Sequence, residues 1–307
     1  MKLSKRRAEN NSSHWQLAGM TLPGVIYIFI FSYLPMIGLV IAFKNYRYDL
    51  GIFKSPWVGF DNFKFMFESN TFDVILKNTL GYNLVFILLS VVCGVCVALL
   101  FDAIKNKTAI KIYQSSMFLP HFLSWIVVSY ISHALLSYDL GIINKIITFF
   151  GGEKISFYSE PAYWFCILTV FYIWKSLGFG MLIYYGSLLA IDTELYEAAA
   201  IDGCTYMKRV WYITLPQLKQ TVITMVLLSL GGIFRSDYGL FYYLPKQSGA
   251  LINATDVIDT YILRALSVSG SIGGASAAGF VQSVVGFVVV VTFNKIVEKI
   301  DESSTLF

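Results

Sequence analysis

Three charged side chains, Lys175, Arg235 and Asp237, stand in stretches that are otherwise apolar. An ion at hydrocarbon depth costs about 3 kcal/mol, so such side chains face a bundle interior or a water-filled path, pair with one another, or snorkel to the surface. The chemistry that fits them is the passage of a polar solute, not the making or breaking of bonds. Trp174, Tyr184, Tyr185 and Tyr238 add rings with one apolar face and one polar tip, which suit a solute of the same mixed character. Because 17% of the chain is aromatic, most other rings serve as interfacial belts and lipid-facing surface. No Gly-x-x-x-x-Gly-Lys-[Ser/Thr] phosphate loop, His-Glu-x-x-His zinc helix or Gly-x-Ser-x-Gly elbow occurs. His14, His121 and His133 have no acidic neighbour at helical spacing, which marks them as packing residues. The chain reads as no enzyme, and it binds no cofactor or metal by any motif it contains.

The second chemically distinctive stretch is the charged island Asp192–Leu218 between two long apolar runs. Asp192 or Thr193 can cap a short helix, Glu194 and Glu197 complement the positive end of its dipole, and Ala198, Ala199 and Ala200 favour it. Asp202 and Gly203 end it in a turn. Thr205 can then cap a second helix bearing Lys208, Arg209, Trp211 and Tyr212, which Pro216 limits. A helix-turn-helix with these charges lies at a membrane face and is offered to something in water.

The elements that carry these residues are membrane spans. Of 307 residues 56% are hydrophobic and 14% charged, and the mean hydropathy is +0.64, which together exclude an ordinary soluble domain. The formal charge of +4 sits in short flanking segments and serves topology; no nucleic acid partner is indicated. A basic tail, 1–16, precedes a six-span unit, 17–297, and a short tail, 298–307, follows. The spans fall near 17–43, 78–103, 113–137, 162–191, 219–244 and 273–297, each long enough for the roughly 20 helical residues that a bilayer requires. Continuous Leu, Val, Ile and Phe in place of alternating segments make this an all-α bundle, not a barrel. Asp61–Phe67 reads as an aromatic surface helix. Lys and Arg are dense in the amino-terminal tail, at 104–112, in the island and after 295, which puts those segments and both termini in the cytoplasm. Cys93, Cys96, Cys166 and Cys204 do not form a disulfide framework.

The spacing Glu197-Ala198-Ala199, three residues, Gly203, nine residues, Ile213, one residue, Leu215-Pro216 resembles the cytoplasmic loop signature of permease subunits of binding-protein-dependent (type I, maltose-permease-like) ABC importers. Tyr33-Leu-Pro-Met-Ile-Gly, Ser55-Pro-Trp-Val-Gly-Phe-Asp-Asn-Phe, Leu119-Pro-His-Phe-Leu-Ser-Trp and Asp256-Val-Ile-Asp-Thr-Tyr resemble the polysaccharide-type permeases of the carbohydrate uptake branch. The resemblance implies a subunit of the bacterial cytoplasmic membrane that moves an oligosaccharide or polysaccharide fragment by alternating access. It implies a second permease subunit, two cytoplasmic ATPase subunits that use ATP and Mg and dock on the loop 192–218, and an extracytoplasmic solute-binding protein. In that setting Lys175, Arg235, Asp237 and the four rings become candidates for the sugar path. The rival reading is an ATP-independent secondary transporter or channel, which would show internal repeats with broken helices near the midplane.

Overall fold

The computed structural model describes residues 18–64, 70–268 and 270–300, and among these it is built of helices joined by turns, with a single isolated bridge between Lys44 and Trp57. In lipid every backbone amide and carbonyl needs a partner within the protein, which a helix supplies from its own chain. The first span, α1 (Ala18–Phe43), widens to a π-turn at Phe29–Tyr33 and tightens to 3-10 geometry from Leu34 to Phe43. Pro35 at the joint lacks the amide of a regular turn, which accounts for the change of winding there.

The longer helices that follow among the described residues are α2 (Asn70–Asp102), α3 (Lys107–Phe118), α4 (Trp125–Leu136), α5 (Ile142–Phe149), α6 (Trp164–Leu189), α7 (Thr193–Ile201), α8 (Tyr206–Gly231), α9 (Tyr238–Tyr243), α10 (Ile258–Ser267) and α11 (Ile272–Ile300). Among the described residues five helices are long and apolar enough to cross a membrane, and the bent pair α3–α4 passes the same test when taken together, for up to six spans.

Three apolar clusters hold the bundle together. At the end carrying the island, Val95 and Ala98 of α2 pack on Tyr184 and Leu188 of α6 and Leu218 of α8. At the opposite end Tyr82, Phe86, Trp164, Leu168 and Leu240 are joined by Val128 of α4. Ala277 and Ala278 of α11 close on Ala42 and Phe63, so the small residues of 274–279 pack within the subunit.

Two expected spans differ in form. The third is not a continuous helix over 113–137: α3 and α4 meet at 98°. Leu123 and Ser124 are extended there, after Pro120, and Ser124 Oγ accepts from Val127 N to start a new helix. The fifth is not 219–244 but α8, which starts within the island and ends at Gly231. Pro216 does not interrupt it, because it stands in the first turn of the α-helical segment that follows the π-turn Val210–Thr214, where proline is tolerated; Gly231 and Gly232 then end the helix. The second span also begins earlier than residue 78, at Asn70, and within it Asn78 and Thr79 find partners in the carbonyls of Asn253 and Asp256 and the amide of Ile258. The tail residues 1–16 and 301–307 and part of the expected surface helix at 61–67 lie outside the described residues, within which Asp61–Phe63 is a 3-10 turn.

Candidate translocation path and docking element

Lys175 is carried on α6 to the break between α3 and α4. Its Nζ donates to the His121 carbonyl at 3.0 Å and lies 5.1 Å from the centre of the Trp125 ring. The break frees a carbonyl that the helix no longer serves, and the ammonium satisfies it. Trp125 Nε1 donates in turn to Asp237 Oδ2 at 2.5 Å, while Asp237 Oδ1 accepts from Gly239 N at 3.0 Å and caps α9. Gly239 is required by this contact: a Cβ there would lie 2.4 Å from Trp125 Cδ1. Lys175 and Asp237 are therefore brought together around one indole, although they are 62 positions apart in sequence.

Arg235 and Asp237 do not lie on a spanning helix. They occupy the segment between α8 and α9, where the backbone is held by side chains in place of helical bonds. Asn83 Nδ2 donates to the carbonyls of Ile233 at 2.7 Å and Arg235 at 3.1 Å, and Gln282 Nε2 donates to Phe234 O at 2.5 Å. Asp259 Oδ2 accepts from Ser236 N at 2.6 Å and from Gln282 Nε2 at 3.1 Å. Burial raises the Asp259 carboxyl above its ordinary range, and these two donors, with Arg235 nearby, offset only part of the rise. Tyr238 is exposed beside this segment and shares a ring cluster with Tyr242 and Tyr243 at 6.3 and 6.2 Å.

The other expected path rings lie elsewhere. Tyr184 is buried in the island-end cluster, where Gly94 makes room for its ring, and Tyr185 meets Phe101 edge-on at 6.0 Å; both are packing residues. Trp174 adjoins Lys175 in sequence but projects about 100° away from it on the helix. It lines an apolar groove of about 440 Å³ with Ile131, Leu135, Cys166 and Val170. Sequence reasoning missed Trp125. Its signal was present in Pro120 followed by Ser124, which together mark one helix ending and the next beginning.

At the other end of the bundle α7 stands as a short, closed helix. Asp192, not Thr193, caps it, with Oδ1 accepting from Glu194 N at 3.0 Å. Its carboxyl end carries the paired bonds of a Schellman turn, Cys204 N to Ala199 O at 2.9 Å and Gly203 N to Ala200 O at 3.1 Å, with Gly203 at φ +71°. Glu197, Ala198, Ala200 and Asp202 are exposed, and only Ala199 among them is buried. Thr205 sits at the start of α8 but its side chain makes no capping bond. Tyr196 Oη and Thr214 Oγ1 share a 3.0 Å hydrogen bond, and Tyr206 Oη donates to Leu99 O at 3.0 Å, so α7 and α8 are fastened to each other and to the end of α2. Ile213 and Leu215 are half-buried behind α7, whereas Pro216 is exposed.

Residues 90–300 match the family model described as binding-protein-dependent transport system inner membrane component. The polygalacturonan/rhamnogalacturonan transport system permease protein YteP of Bacillus subtilis is 34% identical over 92% of this chain and 88% of its own. The arabinooligosaccharides transport system permease protein AraP of Halalkalibacterium halodurans is 26% identical over 88% of this chain and 84% of its own. Among solved structures, a chain of a bacterial ABC transporter involved in import of the acidic polysaccharide alginate superposes with a TM-score of 0.86 at 31% identity, covering 96% of this chain and 99% of that one. A chain of a bacterial alginate ABC transporter in complex with an alginate pentasaccharide-bound periplasmic protein gives the same TM-score at 30% identity, covering 97% of this chain and 98% of that one.

Proposed function

The chain belongs to the binding-protein-dependent transport system inner membrane components, and on that premise we propose that it moves a carbohydrate, an oligosaccharide or polysaccharide fragment, across the bacterial cytoplasmic membrane by alternating access. A solute-binding protein delivers the sugar from outside, a second permease subunit completes the path, and two ATPase subunits using ATP and Mg drive the cycle from the cytoplasm. Both termini and α7 are cytoplasmic. The sugar passes Lys175, Trp125, Asp237, Arg235 and Tyr238, and the relatives whose names specify polygalacturonan/rhamnogalacturonan, arabinooligosaccharides and alginate support that solute class.

The observation that carries the coupling role is α7 itself. It is capped at one end by Asp192 and closed at the other by Gly203, and it presents Glu197, Ala198 and Ala200 outward while its back is fixed to α2 and α8. A stiff knob of small residues with one acid is what a cleft on a cytoplasmic partner can grip and push. The break in the third span is also what a secondary transporter would show, so α7 and the family assignment, not the break, favour the ATP-driven reading. Mass spectrometry of the gently solubilised assembly tests it: a second permease and two ATPase subunits are expected. A lone or homo-oligomeric chain that transports without ATP would overturn it.

A further inference from the structure

Trp125 stands between two opposite charges. Its ring face receives the Lys175 ammonium, 5.1 Å from the centre, and its edge donates from Nε1 to Asp237 Oδ2 at 2.5 Å. Among the described residues Lys175 and Asp237 form no ion pair, with each other or with any other side chain. A lysine and an aspartate beside one ring in a membrane-spanning bundle would ordinarily pair directly. The flanking elements show what the indole joins. The end of α3 is seated on α6, where Gly178 leaves no room for a Cβ beside the Met117 carbonyl and His121 stacks on Phe179 at 5.1 Å. The start of α4 is tied instead to α9, through Asp237 and the close contact with Gly239. The indole therefore bridges the α6 side of the α3–α4 break to α9, and Lys175 spends its remaining bond on the carbonyl that the break exposes.

We propose that Trp125 is a switch between two pairings: one in which its indole separates Lys175 from Asp237, and one in which the indole swings aside and the two charges pair directly. This rests on the alternating-access reading and gives it a regulating contact. In the present arrangement the ammonium has a carbonyl and a ring face, and the carboxylate has the indole N–H and the Gly239 amide. In the other, Lys175 Nζ donates to the Asp237 carboxylate, a charge-assisted bond, while the His121 carbonyl and the indole N–H turn to water in the path. Each arrangement trades one set of favourable contacts for another, which is the condition for two populated states. Asp237 Oδ1 keeps the Gly239 amide in both, so α9 stays capped and travels with the carboxylate. Exchange at one ring thus alters how α4, α6 and α9 are held together, without unfolding any of them.

The test is a zero-length crosslink in proteoliposomes containing the complete importer, made with a membrane-permeant carbodiimide. The reagent activates the Asp237 carboxyl, Lys175 Nζ displaces the urea, and an amide forms only where the two side chains touch; peptide mass spectrometry reads the yield. Yields are compared without nucleotide and with ATP plus vanadate, and a difference of about fivefold or more between the two conditions is expected for wild type. Trp125→Phe keeps the ring face but removes the N–H that holds Asp237, and it is expected to give the higher yield in both conditions, within about twofold. Lys175→Met identifies the product by abolishing it. No crosslink in wild type and Trp125→Phe overturns the switch, and so does an equal wild-type yield in the two conditions. If the same vesicles import sugar on ATP, either result leaves the transport reading standing. If wild type imports nothing, the transport reading fails by itself, and the switch is decided by the variant: a higher yield in Trp125→Phe than in wild type supports it, and an equal yield overturns it.

Discussion

At the scale of single residues, Gly239 and Trp125 show how narrow the packing tolerances beside the α3–α4 break are. A methyl group at 239 has nowhere to go but into the indole, 2.4 Å away, so Gly239→Ala is expected to displace Trp125, break its bond to Asp237 and destabilise the assembly by about 2 kcal/mol. Thermal melting and uptake of the purified complex check this; unchanged values in both would show that the indole moves freely. Farther out, the Arg264 guanidinium pairs with Asp256, which is 4% exposed and also accepts from Thr260. Arg264→Met strands that acid, at a cost of about 2 kcal/mol, discounted because Arg264 is partly exposed. A lowered melting temperature is expected. The sequence marked Lys175 and Asp237 as unusual because charges in apolar runs are rare. It could not mark Tyr184 as a packing residue, because that depends on a glycine across the helix crossing, Gly94, whose relation to it is set only by the bundle.

At the scale of elements, α7 depends on its two ends. Asp192→Ala removes the capping oxygen, at a cost of about 1 kcal/mol, whereas Thr193→Ala removes no bond and is expected to be silent. Gly203→Val forces a branched side chain into a left-handed turn, at a cost of about 1–2 kcal/mol, and re-aims the start of α8. With Glu197→Lys it is expected to leave the bundle inserted but to abolish ATP-driven uptake and weaken copurification of the ATPase. Full uptake by both variants would remove α7 from the coupling role. This helix was legible in the sequence because its signals are local: an acid, an alanine run and a glycine. The ends of α8 and the bend between α3 and α4 were not, since hydropathy runs on through Pro216, Gly231 and Leu123 without registering how the backbone is wound.

At the scale of the whole molecule, the distribution of Lys and Arg predicts which end is cytoplasmic. Cysteine placed at 203 is expected to react with an impermeant reagent only in inverted vesicles, and cysteine at 250 only in intact cells, in a background lacking the native thiols; the opposite pattern would reverse the topology. Six spans could be counted from sequence, but which of them are jointed could not, because what holds the joints lies far away in the chain: Lys175 on α6 at the α3–α4 break, and Asn83 on α2 and Gln282 on α11 at the segment after α8. Against those jointed spans α2 runs 33 residues without a break, about 50 Å of continuous helix. Tyr206 bolts it to the island at Leu99, and Asn78, Thr79 and Tyr82 bolt it to the segment 253–258 at the other extremity. Mechanically it is a connecting rod between two elbows. Over the roughly 30 Å between its bolts, a tilt of about 5° at one carries the other through about 3 Å, so a stroke applied near α7 would be expected to reach the opposite end of the bundle along this helix.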